Sequence, residues 1–189
     1  PGHVRVAGKS LEPRIADGVI LLAALGPGCR SGLERGAVVL VRVGASRQPL
    51  AKAVVGRAGD PFRIAPHGAV IVNGAPARNA AGEPYRLPKA RAEMLALYAK
   101  AYDNRIPDGA LLVMGEVPSG SRDSSWFGLI SVDAVAGVVL DEADRSGRLP
   151  TRQPSIPDIP HKRETATTKE GTACQSSPPD GPASLPSHC

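Results

Sequence analysis

The chain has 189 residues, enough for one domain with its own hydrophobic core and too few for two ordinary domains joined by linkers. Its formal net charge is +5, but the basic residues are scattered and form no long run, so nucleic acid is not predicted as a partner. No stretch of the sequence approaches the roughly eighteen consecutive apolar residues that a membrane-spanning helix needs.

The cysteines and histidines do not form a recognisable site. Cys29, Cys174 and Cys189 are three in number and widely spaced, so they define neither a disulfide framework nor a metal motif. The four histidines have no paired spacing and no acidic cluster nearby. The sequence therefore predicts no metal and no other cofactor.

The first half of the chain alternates short runs of β-branched residues and leucine with Gly and Pro, which is typical of buried strands in an all-β domain. Predicted strands cover residues 19–22, 37–43, 49–55 and 63–64. A further apolar run ends at Asn73-Gly74, the dipeptide that most strongly signals a tight hairpin.

One helix interrupts this pattern at residues 87–103, where Pro88 suits a first helical turn. Its apolar positions recur at three- and four-residue spacing, namely Ala90, Met94, Leu97, Tyr98 and Ala101. The simplest interpretation is an insertion that packs this face on the β domain, and a lid that guides a substrate is the alternative. Predicted strands at residues 110–114 and 132–140 follow, and the ordered domain is expected to end near Asp141.

The composition changes after this point. Residues 144–189 hold eight of the 19 prolines and no aromatic residue, with many Ser, Thr, Asp and Lys. Such a segment cannot bury enough apolar area to offset the entropy lost on ordering. We predict one catalytic domain at residues 1–143 and a disordered tail at 144–189.

Ser10 and Lys52 form a candidate catalytic pair, each in a short apolar segment that we expect to be a strand. A serine hydroxyl needs a neighbouring base, and no histidine has a comparable sequence setting. Lysine accepts a proton only when neutral, which requires its pKa to fall roughly two to three units below its ordinary value of about 10.4. Burial can lower it, and Leu50 and Val54 lie on the same face of the predicted strand as Lys52. Taken alone, each residue has a structural interpretation: a lysine that reaches solvent, and a turn serine before Pro13.

Three sequence blocks occur in a fixed order: GKSLEP at residues 8–13, LAKAVVGRAGD at 50–60 and GEVPSGSRDSSWFG at 115–128. Together they resemble the S26 family of serine peptidases, which includes signal peptidase I and its conjugative-transfer relatives. The family motifs read S-M-x-P, K-R-V-V-G-x-x-G-D and G-D-N-R-x-x-S-x-D-S-R-x-x-G. The resemblance covers about residues 4–140 and implies a mainly β catalytic domain of the S26 type, a folded β-barrel or β-sheet with one inserted helix.

The resemblance implies a role for several residues. Ser10 corresponds to the nucleophile, with its backbone N–H in the oxyanion hole, and Lys52 corresponds to the general base. Ser121 matches a serine that hydrogen-bonds the lysine amine, and Asp123 matches the acid of the D-S-R triplet. The small apolar pockets that select small substrate residues correspond to Val6, Leu11, Ile15 and Ala51.

The chain also departs from the family motifs. Leu11 replaces the usual methionine, and Ala53 replaces the arginine that follows the lysine. Ser125 stands where the arginine of D-S-R belongs, which removes the expected ion-pair partner of Asp123. A side-chain donor for the oxyanion hole is missing, because Gly8 occupies that position. Glu116-Val117-Pro118 in place of Asp-Asn-Arg resembles the transfer-type branch more than the signal peptidases.

The predicted function is a Ser/Lys serine endopeptidase that cleaves signal peptides or a pilin-like precursor after small residues. An extended substrate peptide is expected to add alongside the strands that carry the pair. Since the chain opens with Pro1, we expect that an N-terminal anchor has been removed and that the domain lies on the outer face of the cytoplasmic membrane. Two alternatives stay open: a fragment of a self-cleaving Ser/Lys repressor, and a peptide-binding β module whose active site has decayed.

Overall fold

Short runs of valine, leucine and isoleucine form the strands of this chain, since β-branched and aliphatic side chains suit a pleated surface that is buried. A computed structural model describes residues 1–28, 33–44 and 48–141. The strands are β1 (Gly2–Arg5), β2 (Ile20–Leu25), β3 (Val38–Val41), β4 (Leu50–Arg57), β5 (Phe62–Ile64), β6 (Val70–Val72), β7 (Ala75–Pro76), β8 (Ala110–Met114), β9 (Ile130–Ser131) and β10 (Val135–Asp141). The helices are α1 (Lys89–Ala101) and α2 (Ser124–Phe127).

The strands form two antiparallel sheets. The larger sheet has the order β1-β2-β10-β3-β4-β8-β9, and the smaller has the order β5-β6-β7. Strand β4 lies inside the larger sheet, paired with β3 through Leu50–Ala53 and with β8 from Ala53 onward. The two pairings therefore overlap only at Ala53, and the β8 side of β4 has no strand partner at Leu50–Lys52 among the described residues. The mainly β prediction with one inserted helix is confirmed.

Most predicted strands agree with the structure to within a few residues, and the prediction for residues 110–114 coincides with β8. The Asn73-Gly74 hairpin joins β6 to β7, with both residues at positive φ (52° and 81°). Such a turn matches the right-handed twist of the strands it connects. The last strand begins later than predicted, because Val132–Ala134 forms a short 3-10 turn before β10.

The predicted apolar face of the helix is wrong. Helix α1 buries Ala92, Leu95 and Ala99, whereas Leu97 is 67% exposed. The helix is rich in alanine and carries apolar residues on two faces, so spacing alone does not decide which face packs. Leu95 joins Phe62, Tyr85, Ile106 and Leu112 in one core cluster, and this packing against the smaller sheet selects the buried face.

The prediction that Ser10 lies in a strand is also wrong. Strand β1 ends at Arg5, and Ser10 begins a turn in which Glu12 N–H donates to Lys9 O and Ile15 N–H donates to Leu11 O. Gly8 initiates this turn with a φ of +93°, in the left-handed region that glycine adopts at low cost. The apolar residues of this segment therefore pack under a turn and do not alternate along a strand.

Several predictions concern residues outside the described ranges. These include the tail at 144–189, the domain boundary at 143, and the cysteines Cys29, Cys174 and Cys189. The described residues all belong to one compact unit. None of the helices described here is long and apolar enough to cross a membrane.

Candidate active site

Lys52 and Ser10, which are 42 positions apart in the chain, meet at hydrogen-bond distance. Lys52 Nζ lies 2.6 Å from Ser10 Oγ. Strand β4 presents the lysine, and the turn after β1 presents the serine. The structure thus brings together the two residues that the sequence singled out, at a distance at which a proton can pass between them.

Lys52 is buried, with only 2% of its surface exposed. Burial disfavours the charged ammonium and lowers the pKa of Lys52 from its ordinary value, while the negative charge of Asp123 acts in the opposite direction and raises it. The effect of burial is the larger of the two. A lysine in this setting is neutral at a lower pH than a surface lysine, as a general base requires.

The turn that holds Ser10 is connected directly to the third sequence block. Ser10 O accepts a hydrogen bond of 2.7 Å from Glu116 N–H, which fixes the nucleophile against the end of β8. Ser10 N–H donates to no acceptor within the described part of the chain. This N–H is therefore available to a substrate oxyanion, while Gly8, two residues earlier, contributes no side chain.

Asp123 is 1% exposed, and hydrogen bonds surround its carboxylate. Its Oδ2 accepts from Ser121 Oγ (2.7 Å), Ser121 N–H (2.8 Å) and Gly115 N–H (3.0 Å). Its Oδ1 accepts from Ser125 Oγ (2.7 Å) and Ser125 N–H (3.0 Å), and Asp123 thereby caps α2. Five uncharged donors satisfy this buried charge, which fixes the turn between Gly115 and α2.

Ser121 lies beside this network, but its hydroxyl hydrogen bond goes to Asp123. No hydrogen bond joins Ser121 Oγ to Lys52 Nζ among the described residues. The expected direct contact with the amine is absent from this arrangement, and Ser121 instead orients the carboxylate whose charge acts on Lys52.

Ser125 shows how the third block keeps its shape without the arginine of the family motif. The side chain is fully buried, and its hydroxyl donates to Asp123 Oδ1 (2.7 Å). The neighbouring Ser124 Oγ accepts from Val113 N–H (2.9 Å) and ties α2 to β8. At Ser125, a short charge-assisted hydrogen bond to the carboxylate thus stands in place of the expected ion pair.

Three residues that support the site, Arg14, Tyr85 and Glu116, were not predicted from the sequence to do so. Glu116 is buried, and its carboxylate accepts from Ala80 N–H (2.6 Å) and lies 3.6 Å from Arg14 Nη1. The buried Tyr85 hydroxyl donates to Gly115 O (2.7 Å), and burial raises the pKa of Tyr85, so the donor stays protonated. No local pattern in the sequence marks these residues, since Arg14 and Tyr85 reach the third block only through contacts between distant segments.

The four predicted pocket residues lie together. Val6, Leu11 and Ile15 belong to one buried cluster, with Ala51 partly buried against it. Ala51 precedes Lys52 on β4, and Leu11 follows Ser10, so the cluster adjoins both members of the pair. No group of three His, Cys, Asp or Glu in the described ranges is placed to hold a metal ion.

The chain matches one family model and is similar to solved structures of other proteins. The family model described as signal peptidase, peptidase S26, matches residues 2–140, which include all three sequence blocks. The chain is similar to the crystal structure of a signal peptidase I from Enterococcus faecalis, with 19% identity and a TM-score of 0.35. That similarity covers 56% of this chain and 95% of the other. No match is found among curated proteins.

Proposed function

Because the chain belongs to the signal peptidase family, peptidase S26, we propose that Ser10 and Lys52 perform the peptide-bond hydrolysis of a serine peptidase. Membership of the family makes the chain a serine peptidase. It also implies that the substrate is a protein with a signal peptide. The assignment of the two residues rests on one observation, the 2.6 Å separation of Lys52 Nζ and Ser10 Oγ around a buried lysine.

The proposed reaction proceeds through an acyl-enzyme. Neutral Lys52 takes the hydroxyl proton as Ser10 Oγ attacks the carbonyl carbon, and Ser10 N–H stabilises the oxyanion. The Lys52 ammonium then protonates the leaving amine as the peptide bond breaks. Lys52, neutral again, takes a proton from the water that attacks the ester, and then returns it to Ser10 Oγ as the ester bond breaks and the acid product leaves.

The substrate is proposed to bind as an extended strand beside β4. Residues Leu50–Lys52 pair with β3 on one side only, so their other edge can accept the main-chain hydrogen bonds of a peptide. Val6, Leu11, Ile15 and Ala51 would then form the floor on which alternate substrate side chains rest. Close packing in this cluster favours alanine and other small residues before the cleaved bond, as in a signal peptide or a pilin-like precursor.

We propose that the domain works at the outer face of the cytoplasmic membrane. Family members are membrane-associated, with an extracytoplasmic catalytic domain. On the neighbouring strands β2 and β10, Ile20, Leu22 and Leu140 expose 52%, 37% and 57% of their surface. Exposed apolar side chains in one region favour contact with a lipid surface. In a vesicle flotation assay, Ile20→Ser/Leu22→Ser should reduce binding, whereas equal binding would contradict this placement.

The experiment that tests the dyad uses purified protein and a precursor peptide with alanine at the last and third-last positions before the expected cleavage point. Mass spectrometry should detect one cut after the final alanine. Ser10→Ala and Lys52→Met should each abolish cleavage, while Lys9→Met, which changes an exposed lysine beside the nucleophile, should retain it. Retained cleavage in Lys52→Met would contradict the proposed base. Binding of the peptide without cleavage by the unaltered chain would favour a peptide-binding module.

A further inference from the structure

The inserted helix α1 packs directly on α2, the short helix that Asp123 caps. The guanidinium carbon of Arg91 lies 4.7 Å from the centre of the Trp126 ring, a cation–π distance. About two turns further along α1, the Tyr98 ring lies against Gly128 and leaves no room for a side chain at that position. Residues of the insertion therefore contact the C-terminal half of α2 and the glycine that follows it.

The same arginine reaches the network around Asp123. A Cβ atom built on Gly120 would lie 2.6 Å from Ser125 Oγ and 3.3 Å from Arg91 Nη1. The hydroxyl and the guanidinium thus flank one small space, which stays open because residue 120 is glycine at a φ of +84°. Ser125 Oγ in turn donates to Asp123 Oδ1 at 2.7 Å.

Hydrogen bonds satisfy the Asp123 carboxylate, but none of them brings a positive charge to it. All five donors to its carboxylate are uncharged, and the ion pairs found among the described residues do not include it. The negative charge of this carboxylate acts on Lys52 and raises its pKa, against the larger effect of burial. The Arg91 guanidinium beside Ser125 carries a positive charge, which opposes the negative potential of Asp123.

We propose that Arg91 is a positioning residue for the Ser10–Lys52 pair, acting through Trp126, Ser125 and Asp123. This inference rests on the proposed function of the pair. It gives the inserted helix a role beyond packing: α1 holds the third block in place and brings a half-buried positive charge to it, whereas the block's own Arg122 is exposed. Arg91 touches neither Ser10 nor Lys52, so its influence on the reaction is indirect.

The other charged groups near this region are either paired or exposed to solvent. Glu116 faces Arg14, and Tyr85 keeps its proton on the Gly115 carbonyl. Arg122 is exposed on the turn beside Asp123. On α1 itself, Lys89 and Glu93 lie 4.0 Å apart and are both exposed, so solvent screens their charges. Arg91 and Arg14 are both half-buried, but Arg14 faces Glu116, so removing Arg91 should have the larger effect on Asp123.

The test measures the pKa of Lys52 by NMR titration of protein labelled with carbon-13 lysine, with the resonance assigned from its loss in Lys52→Met. Arg91→Gln should raise that pKa by roughly half a unit at low ionic strength. The acid limb of the kcat profile for peptide cleavage should move to higher pH by the same amount. Arg91→Lys keeps the positive charge, so it should leave the pKa of Lys52 close to its value in the unaltered chain. Lys100→Gln, which removes an exposed charge on the same helix, should cause no shift.

An equal loss of kcat at every pH in Arg91→Gln, with the Lys52 titration unchanged, would mean that Arg91 only stabilises the fold and would overturn the inference. An unchanged titration with unchanged kcat would overturn it as well. The titration does not depend on peptide cleavage. If the unaltered chain cleaved no precursor, the proposed function would fail while the coupling of Arg91 to Lys52 could still be measured.

Discussion

Ser125 Oγ donates a 2.7 Å hydrogen bond to Asp123 Oδ1, at a position where the family motif carries an arginine. Both side chains are buried, and the Ser125 N–H donates to the same oxygen at 3.0 Å. One residue therefore supplies two of the five hydrogen bonds to this carboxylate. Hydrogen bonds from uncharged donors to the Asp123 carboxylate thus hold the third block in a fixed shape. The negative charge of Asp123 still acts on Lys52.

Ser125→Ala should weaken this arrangement because it removes one hydrogen bond to a buried charge. We expect a loss of about 1–3 kcal/mol in the free energy of unfolding, measured by denaturant titration. We expect kcat to fall by roughly tenfold, since a loosened Asp123 no longer holds the turn next to Ser10. The matched control is Ser119→Ala, at an exposed serine in the same block. Equal stability and equal kcat in the two variants would contradict the proposed role of Ser125.

Gly115 lies where no side chain fits. A Cβ atom there would come within 2.5 Å of Ser121 Oγ and 2.7 Å of Ser10 O, and the second contact is with backbone that carries the nucleophile. Gly115→Ala should therefore displace Ser10 and reduce kcat/KM on the order of a hundredfold. Gly28→Ala, where the added atom meets nothing within 4 Å, should have no such effect. Full activity in Gly115→Ala would mean that the Ser10 turn is less constrained than the structure indicates.

Burial of Lys52 also predicts a specific dependence of stability on pH. Since the folded state lowers the pKa of Lys52, the unfolded chain binds more protons between that pKa and the ordinary value near 10.4. The stability contributed by this group therefore rises with pH through that window and is lowest below it. Lys52→Met removes the penalty, so it should unfold at a higher temperature than the unaltered chain, with a gap that narrows as pH rises. A gap independent of pH would contradict a lowered pKa.

Much of the site could be predicted because it depends on local sequence. The strand that carries Lys52 and the hairpin at Asn73-Gly74 follow from residue periodicity and turn chemistry, which act over a few residues. The contact between Lys52 and Ser10 followed from the order of the sequence blocks and agrees with the structure. The strand predicted at Ser10 is wrong, because Gly8 and Pro13, which favour turns, flank the single apolar residue Leu11.

The rest of the site depends on contacts between distant segments, which periodicity does not encode. Arg14 lies near Glu116 only because the turn after Ser10 packs against the end of β8. The predicted buried face of α1 was wrong because Leu95 and Leu97 both fit a helical repeat of apolar residues. Only the packing of the helix against the rest of the domain decides that Leu95 is buried and Leu97 is exposed. The position of Arg91 near Trp126 and Ser125 likewise depends on how α1 packs, which the spacing of residues does not encode.

The most direct test of the Ser10–Lys52 pair is the rate at which a β-lactam or lipopeptide inhibitor acylates Ser10, followed by intact-protein mass spectrometry across pH. The account predicts a rate that rises with pH and reaches a plateau well below pH 10, since Lys52 is neutral there. It also predicts no Ser10 adduct in Lys52→Met. A rate that still climbs steeply near pH 10, or equal acylation of Lys52→Met, would contradict the claim that buried Lys52 activates Ser10.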